Sequence, residues 1–236
     1  MARPDAAHVS RSLKQVSILA ALPPDTLAQI EKRCHWRHCE PGEAIVDYLD
    51  ASDDVFFVTW GEARVSIYSV DGKVITFSDL GTGDSFGEVA AIDGGPRSAS
   101  IESRTSCVVA SMPAAVFREM LQSEPAMTLA VLRYLVTKVR ALTTRVYEFS
   151  ALAVINRVQA EILRLAKLAP RKGKSARVAI APTHAEIASR ISSHREAVTR
   201  ALNQLARMGI IERQGRALIV KDIDRLATMV REVKGE

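Results

Sequence analysis

Two stretches of this 236-residue chain carry residue types whose spacing can do chemistry. The first is Gly83-Asp84-Ser85-Phe86-Gly87-Glu88-Val89-Ala90-Ala91, followed by Gly94-Gly95-Pro96-Arg97-Ser98-Ala99-Ser100. Gly87 lets a ligand come close to backbone, and a short helix starting there would aim free N–H groups at an anion. Glu88 can accept hydrogen bonds from a sugar hydroxyl. Arg97 offers a fixed planar charge to a phosphate, with the Ser98 hydroxyl beside it. A glycine-rich turn with a surface Arg–Glu pair explains the same residues, and at this point both readings stand.

The second stretch lies near the C-terminus. Thr183-His184-Ala185-Glu186 has the pattern of a capping box, and so does Ser193-His194-Arg195-Glu196. Each predicts a helix start, with Ser192-Ser193 as the break between them. The second helix is expected to run to about Met208, with Gly209 as its left-handed stop. Ala197, Val198, Ala201, Leu202 and Leu205 form its inward stripe, leaving Arg195, Glu196, Thr199, Arg200 and Asn203 outward. Arg can pair with guanine O6/N7 and Glu can accept from cytosine N4. Ile210–Arg213, Gln214-Gly215 and Ala217–Val220 read as a β-hairpin wing. Together these segments predict a winged helix-turn-helix.

The elements that position these residues differ along the chain. From about Cys34 to Met112, short strands (Ala44–Asp47, Val55–Thr59, Ala63–Ser69, Val74–Ser78, Cys107–Met112) alternate with Gly, Pro and Asp turns, predicting a small barrel or sandwich. Asp71-Gly72 is the hairpin dipeptide of a type I′ turn. After Pro125, Leu132, Leu135, Val139, Leu142, Val146, Phe149 and Ala153 repeat at spacings of 3 and 4. That is an a/d seam on one long helix, fitted to a two-fold dimer, with Val131 and Val136 of its other face expected on the barrel. A helix over Val154–Leu168 follows, then Pro170 and a basic loop, Arg171-Lys172-Gly173-Lys174.

Charge is unevenly spread. Residues 1–153 hold 15 Lys/Arg against 19 Asp/Glu, a net of −4, while residues 154–236 hold 17 against 8, a net of +9. A basic C-terminal part is suited to a polyanion. No apolar run is long enough for a membrane helix, and the N-terminus lacks a signal core. Cys34, Cys39 and Cys107 make no even framework and fit a reducing, cytoplasmic setting.

Thirteen residues in order narrow the first reading. FGEVAA followed by GGPRSAS closely resembles the phosphate-binding cassette of cyclic-nucleotide-binding domains, and HREAVTRALNQLARMGIIERQGRALIV resembles the DNA-binding region of the cAMP receptor protein/FNR (Crp-Fnr) superfamily. The resemblance runs from about Leu19 to Val220. It implies an α+β chain with an N-terminal double-stranded β-helix (β-roll) over 1–124, a dimerisation helix and hinge over 125–152, and a winged helix-turn-helix over 153–236. Gly42, Gly61 and Gly83 fall where the family's roll turns carry glycine.

By that resemblance Glu88 binds a ribose 2′-OH and Arg97 a cyclic phosphate. Ser98 and backbone N–H groups at Gly87, Glu88 and Ala99 assist, and Val89 belongs to the same site. Thr143 and Thr144 match the family's base-contacting region of the long helix, Thr143 in register, whereas Leu142 takes the place of the other contact. The implied ligand is cAMP, with cGMP open through Ser98. Arg195, Glu196 and Arg200 match the base-reading trio, Thr199 faces the same way, and Lys172, Lys174, Thr183, Ser193 and His194 are expected phosphate contacts. The expected partners are double-stranded DNA at a palindromic promoter site, a second copy of the chain, and RNA polymerase. Ala153 stands where the family often carries a helix-capping Asp, leaving open a softer boundary or a long helix that runs on.

Other constellations carry less. Along a strand, Cys34, Trp36 and His38 would part from His35, Arg37 and Cys39, splitting any metal set between two faces, so no metal is expected. The five histidines, His8 included, show no catalytic order, so no enzyme is expected. The alternative is a nucleotide-independent DNA-binding regulator of the same type whose sensor pocket is vestigial or differently used.

Overall fold

The computed structural model describes residues 11–70 and 72–235. These form two compact units, the first ending at Arg140 and the second beginning at Ala141. Residues 1–10 of the N-terminal stretch read for a signal core, His8 among them, lie outside the described residues, as does Asp71.

In the first unit, helix α1 (Pro24–Lys32) leads into β1 (His35–Cys39), β2 (Ala44–Val46), β3 (Val55–Trp60), β4 (Ala63–Tyr68), β5 (Val74–Leu80) and β6 (Ser85–Phe86). Helix α2 (Glu88–Asp93) precedes β7 (Ser100–Ser103) and β8 (Cys107–Met112), and α3 (Ala114–Ser123) leads to the long α4 (Pro125–Ala151). The strands pair antiparallel in two sheets, ordered β1-β8-β3-β6 and β2-β7-β4-β5. One core lies between them, built on Ile45, Val58, Leu80, Phe86, Ile101 and Val109. A second joins β3 and β8 to the helices through Phe57, Met112, Phe117, Met127 and Val131. β1 serves both: Trp36, with Cys34 just before the strand, belongs to the helical core and Cys39 to the inter-sheet core. The period of two along a strand sends neighbours to opposite faces in this way.

Gly42, Gly61 and Gly83 adopt φ of +85°, +84° and +96°. At Gly61 the need for glycine is also steric, because a Cβ would come within 2.4 Å of the Ser106 carbonyl and 2.7 Å of Cys107 Cβ. The β4–β5 hairpin forms, with a loop longer than a two-residue turn: Ser69 N–H donates to Lys73 O and Gly72 N–H to Ser69 O.

On α4, Leu132, Val139, Leu142, Val146 and Phe149 of the apolar seam are exposed, whereas Leu135 packs partly on the helical core. Two expectations about this helix are corrected. Val131 is buried as foreseen, but Val136 is 51% exposed: five residues on, it has rotated away from the face that Val131 buries. Ala153, read as the last seam residue, is off the helix and is the N-cap of the next one, without a side-chain cap bond.

The second unit continues with α5 (Val154–Leu168), β9 (Arg171–Lys172), β10 (Ser175–Val178), α6 (His184–Arg190), α7 (Arg195–Arg207), β11 (Ile211–Gln214), β12 (Ala217–Val220) and α8 (Ile223–Lys234). The segment read as a basic loop is instead a hairpin, β9 against β10, turned by Gly173 at φ +60°. The wing β11–β12 joins it in one sheet, ordered β11-β12-β10-β9. Val158, Ile162, Ile187, Val198, Leu205 and Leu226 anchor the core beneath.

Candidate functional site

The cassette lies at the turn from β6 into α2. Gly87 is the N-cap of α2 at φ +86°, and a Cβ there would stand 2.6 Å from both Arg97 Nη1 and the Asp54 carbonyl. Only glycine fits that approach. Arg97 is 2% exposed; its Nε donates to Ser52 Oγ (3.0 Å) and its Nη1 to Asp54 O (2.8 Å) and Gly87 O (3.4 Å). Its guanidinium lies over the Phe56 ring, 5.4 Å from the centroid, and Phe56 in turn stacks on Phe86. Burial lowers the Arg97 pKa, opposed by Asp50, Asp54, Asp53 and Glu88, and the side chain remains a cation.

Two buried polar atoms here have no hydrogen-bond partner, Arg97 Nη2 and Ser85 Oγ. Buried donors without acceptors cost about 1–3 kcal/mol each, so such atoms mark a place where an anionic or hydroxylic group fits. The donor set therefore suits a sugar phosphate.

Glu88 is 1% exposed and is held by Lys138 Nζ at 2.8 Å. Lys138 in turn sits 4.5 Å from the centroid of the Tyr134 ring, and the Tyr134 hydroxyl donates to the Ser85 carbonyl. Burial pulls the Lys138 pKa down, but Glu88 and Tyr134 outweigh it, so the ammonium is held above its ordinary range. Sequence reasoning missed Lys138 and Tyr134. Their i,i+4 spacing on one helix face was the available signal.

Gly87, Glu88, Val89, Arg97, Ser98 and Ala99 thus come together within the first unit. Val89 and Ser98 are exposed, and Ala99 is half-buried. Thr143 and Thr144 belong to the second unit, as exposed positions of α4.

In the second unit, α6 opens with the Thr183 capping box in full: Thr183 Oγ1 accepts from Glu186 N–H, and Glu186 accepts from Thr183 N–H. The Ser193 capping box does not form. Ser192 turns at φ +50°, Ser193 N–H bonds back to Ala188 O, and the N-cap of α7 is His194, without a side-chain bond. The helix begins one residue later than the motif requires, so Glu196 falls at the second helical position instead of the third.

Val198, Ala201 and Leu205 bury the inner face of α7, while Arg195, Glu196, Arg200 and Asn203 are exposed. Thr199 is more constrained: its hydroxyl donates to Arg195 O (2.9 Å) and lies 2.7 Å from His184 Nδ1. Burial, then Arg213 and Arg195, push the His184 pKa below its ordinary value. Lys172 and Lys174 are exposed on the β9–β10 hairpin, His194 is exposed and Ser193 half-buried.

A buried charge cluster, also missed from sequence, braces the end of α4 within this unit. Glu148, 1% exposed, accepts from Arg164 (2.9 Å) and Lys234 (3.0 Å). Glu161, equally buried, takes Arg164 at 2.9 Å, Arg190 at 3.4 Å and Arg145 at 3.5 Å. Arg145 Nη1 also donates to the Arg190 carbonyl, tying α4 to the last turn of α6. α4 ends at Ala151 and α5 starts at Val154, although Ala153 offers no side-chain cap.

Comparison with known proteins agrees with this arrangement. Residues 36–124 match the cyclic nucleotide-binding domain model and residues 156–229 the Crp-like helix-turn-helix domain model, together more than half of the chain. A CRP-like cAMP-activated global transcriptional regulator of Mycobacterium tuberculosis is 26% identical over 220 residues, 93% of this chain and 98% of that protein. The cAMP-activated global transcriptional regulator CRP of Salmonella typhimurium is 24% identical over 196 residues, 83% of this chain and 93% of its own. Among solved structures, a CooA mutant from Carboxydothermus hydrogenoformans superposes with a TM-score of 0.78 at 19% identity, covering 91% of this chain and 95% of that one. Among the described residues, no helix is long and apolar enough to cross a membrane. The chain belongs to the Crp-Fnr family of DNA-binding transcription regulators, which are not enzymes, and carries a cyclic nucleotide-binding domain and a Crp-like helix-turn-helix.

Proposed function

We propose that this regulator answers to a cyclic nucleotide, cAMP before cGMP, and in doing so binds palindromic promoter DNA as a homodimer that works with RNA polymerase in the cytoplasm. One observation carries the ligand half. Arg97 is a buried cation with an unpartnered Nη2, held by Ser52, Asp54 and Phe56 against the glycine N-cap of α2. Arg97 takes the phosphate, Glu88 the ribose 2′-OH, and Ser98 with the backbone N–H groups of Gly87, Glu88 and Ala99 completes the cradle, to which Val89 also belongs. Base preference is assigned to Thr143, Thr144 and Ser98. The exposed seam of α4, Leu132, Val139, Leu142, Val146 and Phe149, supports pairing with a second copy.

For DNA, Arg195, Glu196 and Arg200 read base edges while Thr199 holds the helix register. Lys172, Lys174, Thr183, Ser193 and His194 meet phosphates. Ligand shifts the DNA-binding population only through unequal affinity for two states. Calorimetric titration with cAMP and with cGMP, beside anisotropy on a palindromic duplex with and without nucleotide, tests the whole scheme. Each base-contact variant, Arg195→Ala or Arg200→Ala, should cost about 1–3 kcal/mol on the cognate site and relax preference at one position.

One observation favours the alternative, a nucleotide-independent regulator. Glu88 already has Lys138 as a partner, and Arg97 already makes three bonds inside the protein. Equal DNA affinity with and without nucleotide, and no heat of binding for either, would establish it.

A further inference from the structure

Cys39 and Cys107 face each other across the first sheet. They are directly opposed in the antiparallel register of β1 and β8, and both are fully buried in the inter-sheet core. Opposed residues of an antiparallel pair have Cα atoms about 4.5 or 5.5 Å apart and side chains on one face. A disulfide bridges Cα separations of about 4.4–6.8 Å, so the rung already has the span of a cystine. Both are free thiols, and each perturbs the other's pKa.

The rung is also placed for access. Cys39 is the last residue of β1, an edge strand, and Cys107 is the first residue of β8. Both therefore border turns, where strands open most readily. An open cleft of about 720 Å³, lined by Trp60, Gly61, Glu62, Arg104, Thr105 and Ser106, lies over this end of the roll. Gly61 forms part of its floor and packs on Cys107 with no side chain between.

We infer that Cys39 and Cys107 form an oxidisable dithiol that closes to a reversible intrachain disulfide when the protein meets a peroxide. Cys39 ionises, its thiolate attacks one peroxide oxygen and breaks the O–O bond, giving a sulfenic acid and a hydroxide, and the hydroxide combines with the proton released in that ionisation to become water. The Cys107 sulfur then attacks the Cys39 sulfur, the S–O bond breaks, and the leaving hydroxide takes the Cys107 proton as a second water. A dithiol reductant reverses the bond. The order follows from the pair's electrostatics: Cys107 and then Arg37 lower the Cys39 pKa against burial, while Cys39 and burial raise that of Cys107. Cys34 has no opposed thiol, and burial and Glu31 push its pKa up to about 12, so it stays reduced.

The test uses the folded full-length chain, reduced, desalted, exposed to hydrogen peroxide, alkylated in denaturant and mapped by mass spectrometry without reduction. The expected result is one Cys39–Cys107 linked peptide per chain, lighter by two hydrogens, with Cys34 alkylated and the link lost in dithiothreitol. Cys107→Ser should leave Cys39 as a sulfenic acid trapped by dimedone, and Cys39→Ser should abolish the link. Full alkylation of Cys39 and Cys107 after peroxide treatment overturns the inference. So does a link through Cys34, or a link that forms only when denaturant precedes the peroxide.

Discussion

Replacing Arg97 separates what the cassette does for a ligand from what it does for the fold. The side chain makes three hydrogen bonds, one to Ser52 Oγ and two to the carbonyls of the half-buried Asp54 and Gly87. Arg97→Ala removes the bond that the Asp54 carbonyl accepts, while Gly87 O keeps its bond from Ala91 N–H, so the free protein should lose about 1–3 kcal/mol of stability in urea. A phosphate on the guanidinium adds charge-assisted bonds worth about 1.5–3 kcal/mol net, so nucleotide affinity should fall roughly 10- to 150-fold. Arg97→Lys keeps a charge without the fork, and with one donor head it cannot span Ser52, Asp54 and the phosphate together. It should therefore recover part of the stability and little of the affinity. Calorimetry with cAMP and cGMP at 25 °C reads the affinity, and urea unfolding of the free protein reads the stability. If wild type binds nucleotide and Arg97→Ala binds within twofold of it, Arg97 does not hold the phosphate and the cassette assignment falls.

Lys138→Met strands the Glu88 carboxylate, which is 1% exposed, and should destabilise the protein by about 3 kcal/mol, the low end for a broken buried pair because Lys138 is itself 39% exposed. Adding Glu88→Gln should restore part of that loss in urea melts; a Lys138→Met variant as stable as wild type refutes the pair. Burial pushes the Glu148 pKa up, but Arg164 and Lys234 more than reverse it, so the folded value lies below the ordinary one. The stability Glu148 contributes is thus present above about pH 4.5 and lost as pH falls through its folded pKa. Glu148→Gln should cost about 3 kcal/mol at pH 7 and flatten that acid limb, and equal limbs in both proteins would sink the cluster's role. His184 is depressed instead by burial and two arginines, so its folded form resists protonation and stability declines as pH drops below about 6.5. An NMR titration of the imidazole at or above that value refutes the arrangement. Replacing Lys172 and Lys174 by Ala should weaken DNA binding equally for all sequences and reduce the salt slope by up to about one per lysine; unchanged salt dependence rules out their phosphate contacts.

The sequence was most legible where neighbours in the chain decide the structure. β8 spans the Cys107–Met112 run read from its residues, α5 spans Val154–Leu168, and the Thr183 box caps α6 with both of its bonds. Each of these depends on a local period or a three-residue reach. The Ser193 box shows the limit of that reach: its residue types are right, but the turn at Ser192 delays the helix by one residue and the reciprocal bonds cannot form. Burial of charge was not legible at all. Lys138 and Glu148 stand among exposed residues on a long helix, and by composition each reads as solvated. What buries Glu88 and Glu148 is the arrival of groups distant in sequence, Lys138 fifty residues from Glu88 and Lys234 from the far end of α8. A carboxylate finds water or a partner according to the tertiary fold, and no spacing rule within the chain encodes that choice. The two acidic residues with the largest consequences for the cassette and the end of α4 were therefore visible as residues, while their cationic partners became identifiable only once the fold had brought them together.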